Sequence, residues 1–422
     1  MQYKQMRKLL GGINHQWLGL LCVAGVLVGM LFSRALMSIG MIGLLVNALI
    51  NADLKSNFRR FIENKALLGL TGIFLLYLFS GLNSENFEFW LERLRIKLPF
   101  LILPFAILAI PRFPASVYYR LLYAFFWLIG GLCLFSLAQF LLDYEAITYG
   151  YRAGKVMPTA VMHIRFSLMT AYCVAIGWHL FQKGFYLWSP QERYWTLGAS
   201  VFMAAYLHVL AVRSGLLALY GVLAFFLARE VVRRRKYALG LGIALLLAGT
   251  AYLSYRFIPT LKNKVNYTLY NLHLFERKQD LYQLSDSYRL GSIEAGIEVG
   301  NRHFWTGVGV GDVRTEVDQY FIARYPSLVG LDLMPHNQYV FVYMATGILG
   351  LLYFLWATSF PLYFRKAYRD PLFVAFHIIL FLSFLVEHTI ETQLGTALYL
   401  LFLLLGIRYG EEEYRRTQKR NR

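Results

Sequence analysis

The feature that most constrains this chain is the recurrence, along its whole length, of apolar runs close to the roughly 17–25 residues a helix needs to cross a bilayer. Twelve are read, near 17–33, 35–52, 66–82, 98–111, 119–142, 164–182, 194–212, 215–228, 238–258, 338–360, 372–386 and 394–408. In lipid every backbone polar group must find its partner inside the protein, so repeated runs of this kind predict helices. The expected fold class is an all-α polytopic membrane protein with about twelve transmembrane helices. Residues 1–258 would form an N-terminal bundle of about nine spans, 259–337 one long polar loop containing short helices, and 338–422 the last spans and a basic tail. Composition agrees: 58% of the 422 residues are hydrophobic and 16% charged, against roughly 25% charged in an average soluble domain. The first run follows Lys4, Arg7 and Lys8 but has no small-residue cleavage pattern after it, so it is read as retained.

A net charge of +18 would suggest nucleic acid in a soluble protein, but here the positive residues sit in short loops between apolar runs, and nucleic acid is a poor reading. Lys55, Arg59, Arg60 and Lys65, the group from Arg229 to Lys236, Arg365, Lys366 and Arg369, and the tail from Arg415 to Arg422 all fall on one side with the N-terminal cluster. The positive-inside rule makes that side the cytoplasm, with both termini in it. On the opposite face the rule does not account for Arg34, the cluster Arg93, Arg95 and Lys97, Arg152 and Lys155, Arg165, or Arg213. Cys22, Cys133 and Cys173 lie inside apolar runs without metal or redox spacing and are expected to be free thiols.

Chemistry is sought on that opposite face, where ionisable residues cluster without a topological reason. His336, in Met334-Pro335-His336-Asn337-Gln338-Tyr339, ends the polar loop and opens an apolar run. A neutral imidazole there can take a proton from an attacking hydroxyl, with Asn337 and Tyr339 orienting substrate hydroxyls. The plain alternative is a helix-start histidine with Asn337 as N-cap. Arg213 lies in a gap so short that it stays near membrane depth, where it needs a carboxylate or an anionic ligand such as phosphate. Arg289 could add a second guanidinium to the same phosphate, or pair with Asp286 or Glu294. His163, Arg165 and Arg152 could extend an anion-binding surface or serve as interfacial anchors. Glu387, His388 and Glu391 could orient His336, bind a sugar or neutralise Arg213. No metal is expected, because no second ligand cluster accompanies them, and no cofactor is expected. Walker, Rossmann, HExxH and CxxC signatures are absent.

The order of Arg213-Ser214-Gly215, then Tyr288-Arg289-Leu290, His303-Phe304-Trp305-Thr306-Gly307-Val308-Gly309, His336-Asn337-Gln338-Tyr339 and Gly347-Ile348-Leu349-Gly350 resembles the O-antigen ligase family, with its related polymerases and protein O-oligosaccharyltransferases. The resemblance covers about residues 200–400. It implies a GT-C-like helical fold and a metal-independent, inverting glycosyltransferase in the bacterial inner membrane, acting on the periplasmic side. The implied partners are a glycan donor on undecaprenyl pyrophosphate, an acceptor hydroxyl on a lipid A-core or other glycan, and membrane lipid. By position, His336 would be the base and Arg213 and Arg289 the pyrophosphate ligands, with Arg165 the less defined third. A polymerase using the same donor is the alternative within the class. A transporter of a lipid-linked anionic substrate is the alternative outside it, disfavoured by the one-sided placement of the ionisable residues.

Overall fold

In a computed structural model describing residues 14–111, 113–277 and 284–420, the chain is helical throughout, with 17 α-helices and no strand among the described residues. The sequence reading of Lys4, Arg7, Lys8 and Arg422 falls outside these residues. The helices are α1 His15–Phe32, α2 Arg34–Leu49, α3 Leu54–Glu63, α4 Lys65–Ser80, α5 Phe87–Leu108, α6 Ala115–Leu142, α7 Tyr144–Gly150, α8 His163–Lys183 and α9 Glu192–Leu210. There follow α10 Arg213–Arg234, α11 Tyr237–Phe257, α12 Pro259–Glu276, α13 Ser285–Arg302, α14 Val313–Arg324, α15 Gln338–Tyr363, α16 Pro371–Val386 and α17 Gln393–Arg420.

Each of the twelve apolar runs is a helix, but among the described residues only eight helices are individually long and apolar enough to cross a membrane, or nine counting the bent pair α2–α3. The difference has local causes. Helix α2 ends after 16 residues and the chain turns by 109° into α3, where a loop was expected. Helix α5 carries Glu88, Glu92, Arg93, Arg95 and Lys97 in its first half. At 16 residues, α16 reaches only about 24 Å at 1.5 Å per residue. It is largely buried among other helices, where a short element needs no lipid-spanning length of its own. Conversely, Leu21, Ile39, Leu142, Leu245 and Leu246 are all more than half exposed, as expected of side chains facing hydrocarbon rather than water. The three cysteines are free thiols.

The polar loop folds into α12, α13 and α14, of which only the region of α13 was expected to be helical. Its most constrained part is the strip 303–312. Val308 N donates to Met344 O at 3.0 Å, Gly309 N to Ala345 O at 2.9 Å, and Ile348 N to Phe304 O at 2.8 Å. These bonds meet α15 where it is broken at Gly347, whose φ of 68° is left-handed. A Cβ on Gly347 would lie 2.3 Å from Trp305 O, and one on Gly307 2.4 Å from Ala345 C. Glycine is therefore required twice, for backbone conformation and for close approach. The far end of the strip is held by Asp312, whose carboxylate accepts from Glu85 N at 2.8 Å and Asn86 N at 2.9 Å. Loop, broken helix and the α4–α5 turn thus form one frame at the end of the bundle from which α15 begins.

Candidate active site

His336 sits two residues before α15, in a turn tied to α13. Its backbone N donates to Ser292 Oγ at 3.2 Å. Its Nδ1 lies 3.1 Å from Met334 O and 3.3 Å from Ser292 Oγ. A carbonyl can only accept, so the bond to Met334 puts the proton on Nδ1 and leaves Nε2 as the basic nitrogen. Burial lowers the His336 pKa below the ordinary 6.5, as do Arg289 and Arg165, while Glu387 pulls it back. A lowered pKa favours the neutral ring, the form in which an imidazole can accept a proton. The His388 ring is centred 4.9 Å away, and burial holds its pKa down to about 3, so it contributes no charge.

Glu387, which caps the end of α16, is the hub. Its Oε1 lies 3.0 Å from Arg289 Nη2 and its Oε2 3.7 Å from Arg165 Nη1. Burial would raise the Glu387 pKa, but Arg289 and Arg165 outweigh it and hold the carboxyl below its ordinary value. Arg165 is 2% exposed, yet its Nε and Nη1 have no hydrogen-bond partner among the described residues. Arg289 therefore pairs with neither of the carboxylates weighed from sequence. Glu294 instead accepts from the Tyr320 and Tyr325 hydroxyls at 2.8 and 2.7 Å.

Arg213, at the start of α10, pairs with Asp286 in the first turn of α13, and its Nη1 donates to Thr268 Oγ1 at 3.3 Å. It remains 41% exposed, so the pair leaves guanidinium N–H groups free for a ligand. Burial would raise Asp286, but the Arg213 bond and charge, Lys264 and Arg289 hold its pKa below the ordinary value. Lys264 was not singled out from sequence. It projects from α12 toward the same group, donates to Gly154 O at 3.3 Å, and is lowered to about 8 chiefly by burial and then by Arg213. At this pair, Asp286 Oδ2 and the adjoining Ser214 Oγ and Ser287 Oγ are buried without a partner among the described residues. Such orphaned atoms are few in native structures and mark places where a ligand or water completes the network. Two of these hydroxyls belong to the first turns of α10 and α13, where helix N-termini favour an anion.

The remaining candidates separate. His163, at the mouth of α8, is close enough to Lys264, Arg289, Glu387 and Arg165 to feel their charge. Arg152 is placed elsewhere, lining another cavity with Arg256 and Lys262. Asn337 and Tyr339, read as candidates to orient substrate hydroxyls, are both engaged in holding α15. Asn337 Oδ1 caps α15 by accepting from Tyr339 N at 2.9 Å and Val340 N at 3.1 Å, while its Nδ2 donates to Leu385 O at 3.0 Å. The Tyr339 ring packs on Phe354 and Phe384 inside the bundle. Glu387 neutralises Arg165 and Arg289 rather than Arg213.

Gln338 and Glu391 form a clip that sequence reasoning missed. The Gln338 amide donates to Glu391 Oε1 at 2.8 Å and accepts from Ile390 N at 3.0 Å. The same Glu391 oxygen takes the Tyr77 hydroxyl at 2.5 Å and Lys97 Nζ at 2.8 Å, with the Lys97 and Glu391 side chains both 0% exposed. This clip fixes the start of α15, hence His336, against the segment bearing Glu387 and His388. His336, Glu387 and His388 each offer a ligand atom within 4.8 Å of the others, the reach of a metal site. Both Glu387 oxygens already face guanidinium groups, which compete with a cation for that carboxylate.

Arg213, Arg289 and His336 all fall within residues 198–355, which match the family model described as O-antigen ligase. A search of curated proteins finds no match. Arg165, Glu387 and Glu391 complete the cluster from outside that stretch. The chain is a polytopic membrane protein, all-helical among the described residues, whose residues 198–355 match the O-antigen ligase family model.

Proposed function

We propose that the protein transfers a glycan from undecaprenyl pyrophosphate to an acceptor hydroxyl, most simply as an O-antigen ligase acting on a lipid A-core sugar at the periplasmic face of the inner membrane, with both termini cytoplasmic. The observation that carries this reading is an imidazole whose Nδ1 is engaged by Met334 O and whose Nε2 has no hydrogen-bond partner among the described residues, at the same end of the bundle as guanidinium groups held by Glu387 and Asp286. The bond to be cleaved joins a sugar C1 to a pyrophosphate. The leaving group departs as a stabilised anion and needs positive charge more than a proton, which Arg213, Arg289 and Lys264 supply where the charge develops. Each arginine is preset by a carboxylate that fills only part of its donor fork, leaving N–H groups for phosphate oxygens. His336 Nε2 takes the acceptor proton as the hydroxyl attacks C1 from the face opposite the leaving group, which inverts the anomeric centre.

The test is transfer in proteoliposomes containing only this protein, a lipid-linked glycan donor and a lipid A-core acceptor, followed by product analysis. A glycan-capped lipid A-core supports the ligase. Elongated lipid-linked glycan with no capped acceptor assigns a polymerase, and donor translocation without transfer overturns the enzyme reading. Transfer is expected to survive a metal chelator; loss reversed by added divalent cation would assign His336, Glu387 and His388 to a metal instead.

A further inference from the structure

Arg34, Arg93 and Arg95 lie on a face where charge topology gives them no reason to be, and the mechanism above does not use them. The fold gathers all three, with Arg314 from the loop and the buried Arg165, around one cavity of ≈ 830 Å³ between the α1–α2 turn, the first half of α5 and the start of α17. That volume is within the ~300–1,000 Å³ of ordinary ligand clefts. Two carboxylates also line it, and both are occupied: Glu92 pairs with Arg93, and Glu391 with Lys97. Arg34, Arg95 and Arg314 have no carboxylate partner among the described residues. Arg314 and Arg93 lie 4.3 and 4.8 Å over the Phe89 ring, which holds both guanidinium planes in place. Arg93 is 4% exposed and Arg165 2%, and the Nε atoms of Arg93, Arg165 and Arg314 are buried without a hydrogen-bond partner among the described residues. Unpaired cations and orphaned donors so concentrated favour an anion with several oxygens.

The cavity is distinct from the Arg213 group, since neither Arg213, Lys264 nor Arg289 lines it. It meets the catalytic group through Arg165 and His388, the latter ring 4.9 Å from His336. A ligand here approaches the base without passing the proposed pyrophosphate site. Met30, Leu31, Phe32 and Leu394 give the same cavity apolar walls, which suits a molecule that is anionic at one end and anchored in lipid at the other.

Resting on the glycosyl-transfer reading, we infer that this cavity receives the acceptor, and that the acceptor is a lipid-borne glycan carrying phosphate groups, held by Arg34, Arg95 and Arg314. Binding tests this without requiring catalysis. Full-length protein in phosphatidylcholine nanodiscs is titrated with a phosphorylated lipooligosaccharide and with the same molecule after chemical dephosphorylation. The wild type should bind the phosphorylated form at least about tenfold more tightly, the value of one charge-assisted contact. An Arg34→Gln/Arg95→Gln/Arg314→Gln variant that elutes as the wild type should bind both forms equally. Binding of lipid-linked donor should be unchanged in that variant. Equal wild-type affinity for the two forms, or a variant that still discriminates, overturns the inference. Weakened donor binding assigns the cavity to the donor pyrophosphate, and discrimination erased by phosphatidylglycerol in the nanodisc assigns it to phospholipid headgroups; both outcomes also overturn it. Should the protein bind the phosphorylated acceptor as expected and transfer nothing, the glycosyl-transfer reading fails while the site stands.

Discussion

The clip at Glu391 predicts a separation between stability and activity. In Glu391→Leu, Lys97 keeps the Ile390 carbonyl and the face of the Tyr77 ring, and its ammonium stays at 0% exposure without a counter-charge. Breaking a buried pair from one side costs about 3–5 kcal/mol, because the surviving charge is neither solvated nor neutralised. Lys97→Met leaves the Glu391 carboxylate with only the neutral Tyr77 and Gln338 donors, and a loss of similar size is expected. The double variant removes both charges. What remains is two neutral buried donors, the Tyr77 hydroxyl and the Gln338 amide, short of an acceptor at about 1–3 kcal/mol each. It should therefore cost about 2–6 kcal/mol, less than Glu391→Leu, which strands the same two donors and a buried ammonium besides, and below the about 6–10 kcal/mol that additivity would give. Detergent-denaturation midpoints of the two singles and the double close the cycle. Transfer should not recover with stability, because Gln338 has lost the oxygen that fixes the approach to His336. A double variant as unstable as the sum of the singles, or one restored in both stability and transfer, would refute the reasoning.

Other consequences are more direct. The His336 base is neutral only above its lowered pKa, so transfer should be flat through neutral pH and fall on the acid side with a midpoint below 6.5. Glu387→Gln removes the charge that holds that pKa up and should move the acid limb lower still, as read from pH–rate profiles. Arg213→Lys should retain a charge opposite Asp286 and a folded protein, yet weaken donor binding about tenfold or more by losing the guanidinium fork, measured by titration with lipid-linked donor. Gly347→Ala places a Cβ 2.3 Å from Trp305 O at φ 68°. It should cost more than the ~1 kcal/mol of left-handed strain alone and lower the unfolding midpoint measurably, whereas Gly249→Ala, with nothing within 4 Å, should not.

The helices were legible because lipid allows the backbone so few alternatives, and each of the twelve apolar runs became one. Their bounds were legible at α16, which starts and stops with its apolar run 372–386, and less so at α5, which begins at Phe87, well before its run at 98–111, and carries five charges in its first half. Arg213, Arg289 and His336 stood out because cations and an imidazole at membrane depth lack a local reason. Asp286 and Glu387 stood out too, but their pairing did not: Asp286 was weighed for Arg289 and Glu387 for Arg213, whereas the fold joins Arg213 to Asp286 and Arg289 to Glu387 across segments distant in sequence. Lys264 was hidden in a loop whose charges balance. Asn337 and Tyr339 were read as substrate contacts from proximity to His336. The cap geometry at the start of α15 spends Asn337 on backbone N–H groups and turns Tyr339 into the bundle. The paired motifs around Gly307 and Gly347 could be recognised but not joined, because their link is three backbone hydrogen bonds between distant segments.

The central claim is that His336 Nε2 takes the acceptor proton. Its most direct test is the single-turnover rate of His336→Ala against wild type in proteoliposomes, at saturating donor and acceptor. A loss of about 10²–10⁴-fold is expected, the usual worth of a positioned general base, with donor binding and unfolding midpoint close to wild type. A variant that transfers glycan within a few-fold of the wild-type rate would contradict it.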